Sequence, residues 1–197
     1  MLGRLRGRVR GVLEAAASPL AVLPADFYTV LGLAGALAYL WAARAGYPAL
    51  ATLLLAASGL LDALDGAVAR LRGEAGPRGA YLDSLLDRVA DTVYAAGFLA
   101  LGYPVWSVLA FLTGALLTSY ARARFESLAG RSMEGVGLLE RSDRIAAQLL
   151  VLLVHARLGI EAAARLYTVL ALLAWATFAE RLARGYTQLP RSRAPHA

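Results

Sequence analysis

The 197-residue chain has no cysteine, no lysine and no asparagine, and only two glutamines. Without cysteine there can be no disulfide, no thiolate nucleophile and no zinc–thiolate centre. Without lysine, all 20 basic residues are arginines, which stay charged at any working pH. The arginine bias matches a GC-rich genome, and the missing thermolabile residues suit a hot environment. Charge is also scarce, at 17% of residues against ~25% in soluble domains. Disorder, a coiled coil and a secreted disulfide scaffold are thereby excluded. Apolar residues fill the space: 59% of the chain is hydrophobic and the mean hydropathy is +0.56. Such a composition belongs to a polytopic membrane protein. Six helices of ~20 residues would use ~120 positions and leave short loops. The net charge of +6 suits anionic headgroups or an anionic substrate. Nucleic acid is not expected as a partner, because the arginines lie between apolar spans.

The pattern predicts an all-α integral membrane protein with six transmembrane helices behind an N-terminal amphipathic interfacial helix. Residues 1–18 form that first helix, with Leu2, Leu5, Val9, Val12 and Leu13 on one face and Arg4, Arg6, Arg8 and Arg10 off it. A catalytic transmembrane domain covers 19–185 and a short tail 186–197. The first span is expected at Phe27–Ala43, the second from Pro48 and the third from Gly79. Thr92–Ala121 is uncharged for 30 residues, too long for one span, and Gly102-Tyr103-Pro104 divides it. Two shorter apolar cores, Ile145–Ala156 and Leu166–Ala179, make the last spans. Arginines crowd one side: Arg4–Arg10, Arg70, Arg72, Arg78, those from Arg122 to Arg144, and Arg181–Arg193. Only Arg44, Arg157 and Arg165 fall on the other. The positive-inside rule then places both termini and the arginine-rich loops in the cytoplasm of a cell-membrane protein.

Four aspartates carry the chemistry. Asp62 and Asp65 are i, i+3 on one helix, and Asp83 and Asp87 are i, i+4 on the next. Each pair shares a helical face. A short loop makes the two helices antiparallel neighbours, so that four carboxylates converge at the cytoplasmic end. Ionised carboxylates near hydrocarbon cost roughly 2.5–3.5 kcal/mol each and repel one another. Protonation or divalent cations relieve this, and oxygen ligands select magnesium, manganese or calcium. Two metals between four aspartates suit in-line displacement at phosphorus. Gly66 and Ala69 leave the helix surface bare for a ligand, and Arg70 can grip a phosphate with paired hydrogen bonds.

The run Asp62-x2-Asp65-Gly66-x2-Ala69-Arg70-x8-Gly79-x3-Asp83-x3-Asp87 resembles the signature of the CDP-alcohol phosphotransferase family, and the chain's hydropathy resembles that family's six-helix fold. The resemblance implies that an alcohol hydroxyl attacks the β-phosphorus of a CDP-linked donor and that CMP leaves. It implies two Mg2+ ions, with Mn2+ as an alternative, on Asp62, Asp65, Asp83 and Asp87. Asp87 becomes the general base, and Asp62, Gly66, Ala69 and Arg70 hold the CMP part. A homodimer is implied as well. Family members often carry Pro-Asn ahead of a Thr at the start of the first span. Here Ala25-Asp26 stands ahead of Thr29, and Asp26 reads as a helix N-cap.

The acceptor is read from Arg122, Arg124, Arg141 and Arg144, expected at the membrane level of the aspartates. They would repel choline or ethanolamine and hold an alcohol that already bears a phosphate. Ser119-Tyr-x-Arg122-Ala-Arg124-x-Glu126 and Gly137-x-x-Glu140-Arg141-x-Asp143-Arg144 resemble the acceptor region of the family's inositol-phosphate branch. That branch joins a CDP-lipid to inositol 1-phosphate. Glycerol phosphate is the rival acceptor, and a soluble CDP-inositol donor, giving a di-inositol phosphate, is a further rival. A divalent-cation transporter would use the same aspartates, but nothing acidic lines a path to the outside. A membrane scaffold would leave them unexplained. Asp91 could support the metals or pair with Arg88, and His155 and His196 have no ligand-like spacing.

Overall fold

The computed structural model describes residues 11–133 and 135–190. The expected interfacial residues Leu2–Arg10, the tail beyond residue 190 and His196 lie outside them. Among the described residues all regular structure is helical, with no strands. The chain forms two compact units, Met1–Leu101 and Gly102–Ala197.

The first unit holds α1 at residues 11–17, a 3-10 turn at Ser18–Leu20, α2 (Ala25–Arg44), α3 (Pro48–Leu71) and α4 (Pro77–Ala100). Proline opens α3 and α4, where its missing N–H has no helical partner to lose. α2 is the hub, and both α3 and α4 pack against it. The expectation that α3 and α4 pack chiefly on each other therefore needs correction: the main contacts of both are with α2. Small residues permit the close α2–α3 approach. A Cβ on Gly35 would stand 3.2 Å from the Cβ of Ser58. In lipid, such close packing rather than hydrophobic burial holds helices together.

The second unit holds α5 (Val105–Ala129), α6 (Arg141–Leu158) and α7 (Ile160–Gln188). α7 packs against both of the others. Gly130 ends α5 in the left-handed region, at φ 64°. Glu140 and Asp143 cap α6 reciprocally, Asp143 Oδ2 taking the Glu140 N–H at 3.0 Å.

Among the described residues, four helices, α2, α3, α5 and α7, are long and apolar enough to cross a membrane. With 24 residues α4 also has the length, about 36 Å at ~1.5 Å per residue, but Arg78, Asp83, Asp87, Arg88 and Asp91 reduce its apolar character. The last two helices have 18 and 29 residues, well beyond their apolar cores. Helix length follows backbone hydrogen bonding, which continues through charged turns. Large apolar side chains such as Leu37, Trp41, Leu53, Trp106 and Leu172 stay exposed on the outer faces, a coat suited to lipid. In α1, Leu13 packs inward while Val12 is 69% exposed. The neighbouring elements cover one flank only, so these two do not share a buried face.

Candidate active site

A buried polar knot in the first unit fixes α3 and α4 on α2. Ser58 Oγ donates to the Gly32 carbonyl at 2.6 Å, which leaves the Tyr94 hydroxyl to donate to Ser58 Oγ at 2.7 Å. The Tyr39 hydroxyl donates to the Tyr94 carbonyl at 3.2 Å. Gly97 makes room for the Tyr39 ring, since a Cβ there would lie 2.2 Å from Cε1. Ser58 is one turn before Asp62, and Tyr94 is two turns beyond Asp87. The knot therefore sets the register of the two aspartate pairs.

Asp62, Asp83 and Asp87 place carboxylate oxygens within 4.8 Å of one another. Asp65 stands beside this trio rather than in it. It is buried, its Oδ2 has no hydrogen-bond partner, and the Thr29 side chain lies against the carboxylate. Arg88 Nη1 meets Asp87 Oδ2 at 3.0 Å. Carboxylates gathered this closely repel one another in a low-dielectric setting, and a cation held among them relieves the repulsion. An all-oxygen donor set with an orphaned buried carboxylate oxygen fits a hard divalent cation such as magnesium or manganese. Asp91, one turn on from Asp87, is buried in the helix packing.

A cavity of about 550 Å³ opens among α2, α3, α4 and the α3–α4 loop. Its wall includes Asp65, Gly66, Ala69, Arg70, Gly79 and Asp83. A Cβ on Gly79 would meet nothing within 4 Å, and one on Gly66 only Arg70 Nη1 at 3.5 Å. Helix packing therefore does not explain these two motif glycines. Their bare backbone faces the cavity, where a ligand can approach it.

Asp26 also lines the cavity, but it is not the N-cap: that position is Pro24, whose ring carries no group that could accept a backbone N–H. Glu74, 49 residues away, does the work instead, its Oε2 accepting the Ala25 N–H at 3.1 Å. Arg72 Nε holds the other carboxylate oxygen, while Arg72 Nη1 donates to the carbonyls of Ala21 and Val22. The Arg72 guanidinium, with the Ala25 N–H, keeps the Glu74 carboxyl below its ordinary range. The α3–α4 loop thus clasps the start of α2 at the cavity wall.

The second unit gathers some of the expected acceptor arginines. Arg122 Nε pairs with Glu126 Oε1 at 3.0 Å, and the same oxygen accepts from Ser132 Oγ and the Met133 N–H. Arg144 is buried and Arg141 half-buried, whereas Arg124 is exposed. A fifth arginine joins them. Arg181 is buried in α7, donates to the carbonyls of Val136 and Thr118 at 2.8 and 3.0 Å, and feels the charges of Arg122, Arg144, Glu126 and Glu140.

Residues 22–180 match the CDP-alcohol phosphatidyltransferase family. The chain belongs to this family. It is therefore a phosphotransferase. Among its relatives, the archaetidylinositol phosphate synthase of Aeropyrum pernix is 42% identical over 135 residues, covering 68% of this chain and 69% of the relative. That of Pyrococcus horikoshii is 35% identical over 187 residues, covering 92% and 95%. The crystal structure of Mycobacterium tuberculosis phosphatidylinositol phosphate synthase with CDP-DAG bound is also similar. Its TM-score is 0.75 at 26% identity, over 94% of this chain and 98% of that one. The same enzyme in complex with manganese and citrate gives 0.77 at 26% identity, over 92% and 93%.

Sequence reasoning about this phosphotransferase missed Arg181, Glu74 and the Ser58–Tyr94–Tyr39 knot. Arg181 stands just past an apolar run, where topology alone accounts for an arginine; its burial is visible only once α7 continues to Gln188. Glu74 and Ser58 are ordinary residues in sequence, and their partners are 49 and 36 positions away.

Proposed function

We propose that the enzyme transfers the phosphatidyl-type group of a CDP-linked lipid to the hydroxyl of an inositol phosphate and releases CMP. The observation that carries this reading is the meeting of Asp62, Asp83 and Asp87, of which Asp83 lines a cavity together with Asp65, Gly66, Ala69 and Arg70. Names of relatives support the lipid and the acceptor: archaetidylinositol phosphate synthases, and a phosphatidylinositol phosphate synthase crystallised with CDP-DAG. Asp62, Asp65, Asp83 and Asp87 would hold two divalent cations, magnesium or manganese. Such ions, when bound, offset the charge that builds on phosphoryl oxygens. Gly66 and Ala69 admit the CMP part against the α3 backbone, Asp62 contributes to the same site, and Arg70 holds the diphosphate. Asp87 takes the proton of the acceptor hydroxyl. That oxygen bonds to the β-phosphorus as the bond from this phosphorus to CMP breaks, and CMP leaves with the electron pair. Arg122, Arg141, Arg144 and Arg181 are the candidates for the acceptor phosphate, with exposed Arg124 the weakest of the five.

We take α2–α7 all to cross the membrane, with both termini in the cytoplasm. Short cores in α4 and α6 are then shielded by protein and by arginines reaching to the interface. The test is CMP release by purified protein with CDP-lipid and, in turn, inositol 1-phosphate, free inositol, glycerol 3-phosphate, glycerol 1-phosphate and serine. Release should require inositol 1-phosphate, stop in EDTA, and fall by most of its value in Asp62→Asn, Asp65→Asn, Asp83→Asn and Asp87→Asn. Turnover with glycerol phosphate alone would reassign the acceptor, and full activity in EDTA would overturn the metal site.

A further inference from the structure

Arg70 has a long, flexible side chain, and something must aim it if it is to hold a diphosphate. Its guanidinium is engaged at one edge: Nε lies 3.0 Å from Oε1 of Glu14 in α1. Its Nη1 lies over the bare backbone of Gly66, where a Cβ would be 3.5 Å away. Both Gly66 and Arg70 line the cavity. The guanidinium is thus stretched from α1 to the cavity wall.

Glu14 is itself anchored. Its neighbour Leu13 packs on a cluster formed by Ala17, Ala25, Tyr28, Leu64, Ala67 and Val68. Ala17, one turn from Leu13, is fully buried. The Tyr28 hydroxyl donates to the Leu20 carbonyl at 2.6 Å, which pins the turn that follows α1. A carboxylate on a docked helix therefore holds one edge of the arginine at a fixed place. An ion pair so ordered lowers the conformational entropy that Arg70 would otherwise lose on gripping a ligand.

We propose that Glu14 is a positioning residue for the donor site: it holds Arg70 across Gly66 and so makes α1 part of the machinery that binds the CDP-linked lipid. This rests on the assignment of the cavity to that donor. The pair is 37% and 28% exposed on its two sides, so salt screens it and its effect is modest.

The experiment measures steady-state kinetics in detergent for wild type, Glu14→Gln, Glu14→Asp, Arg70→Ala and the Glu14→Gln/Arg70→Ala double variant. Glu14→Gln should raise the KM for CDP-lipid by roughly threefold to fivefold, the upper part of what an exposed pair supports. Its kcat and the acceptor KM should stay as in wild type, and the difference from wild type should shrink at high salt. Glu14→Asp should recover part of the loss. On the Arg70→Ala background Glu14→Gln should add nothing. An additive effect, a shifted acceptor KM, or an unchanged or lowered donor KM in Glu14→Gln would overturn the proposal. If Arg70→Ala raises the donor KM while Glu14→Gln is silent, only this inference fails. If Arg70→Ala leaves the donor KM untouched, the donor-site assignment fails with it.

Discussion

Arg144 is buried with 3% of its surface exposed, while Arg122 sits half-exposed against Glu126. A buried guanidinium must find hydrogen bonds and opposite charge, and Arg144 shares its surroundings with Arg122 and Arg181. Glu126 and Glu140 offset part of this positive charge, and a phosphate offers the planar, paired contacts that arginine matches best. Each charge-assisted hydrogen bond contributes about 1.5–3 kcal/mol. Arg122→Ala and Arg144→Ala should therefore raise the acceptor KM tens- to hundreds-fold while the CDP-lipid KM changes far less. Arg144→Lys, which keeps the charge but loses the fork, should fall between. The check is initial-rate kinetics with inositol 1-phosphate varied at saturating donor. An acceptor KM unchanged in all three would mean that these arginines serve the fold or the lipid headgroups.

Helix ends behave differently from residue to residue. α6 caps itself from its own first turn, so its start was written locally as Glu140-x-x-Asp143. α2 has proline where a capping side chain would stand, and takes Glu74 from the α3–α4 loop instead. The dependence on pH follows. The folded-state carboxyl of Glu74 sits below its ordinary value of 4.5, chiefly through Arg72. Stabilisation by Glu74 is thus complete above 4.5 and disappears as pH falls through the depressed folded value. Glu74→Gln should lower the unfolding temperature in detergent at neutral pH. The gap from wild type should close on acidification below that range. A gap that persists unchanged in acid would mean that the amide acts through packing rather than charge.

Across the whole molecule, the number of crossings decides where the loops lie. Among the described residues, only α2, α3, α5 and α7 have the length and composition to cross unaided. The reading with six crossings puts Leu71 and Leu128 on the cytoplasmic side and Ala45 and Arg157 outside. If those four helices alone crossed, Leu128 would move outside. The natural chain has no cysteine, so single cysteines report without background. In intact cells an impermeant maleimide should label Ala45→Cys and Arg157→Cys. It should reach Leu71→Cys and Leu128→Cys only after permeabilisation. Labelling of Leu128→Cys in intact cells would remove α4 and α6 from the membrane-crossing set.

Hydropathy and charge determined that the chain is helical and membrane-bound, because lipid leaves backbone groups no partner outside a helix or a closed barrel. Motif spacing singled out the aspartates, Gly66, Ala69 and Arg70 as the candidate site, because i, i+3 and i, i+4 positions share a helical face wherever the helix goes. Helix periodicity says nothing of which helix packs on which. Packing of α3 and α4 on α2, with Asp65 beside the Asp62–Asp83–Asp87 trio, came from tertiary contacts. So did the pairings of Glu14 with Arg70, Glu74 with the start of α2, and Ser58 with Tyr94. Each of these joins residues at least 36 positions apart. Their chemistry is generic, and only proximity in space selects one glutamate or serine over another.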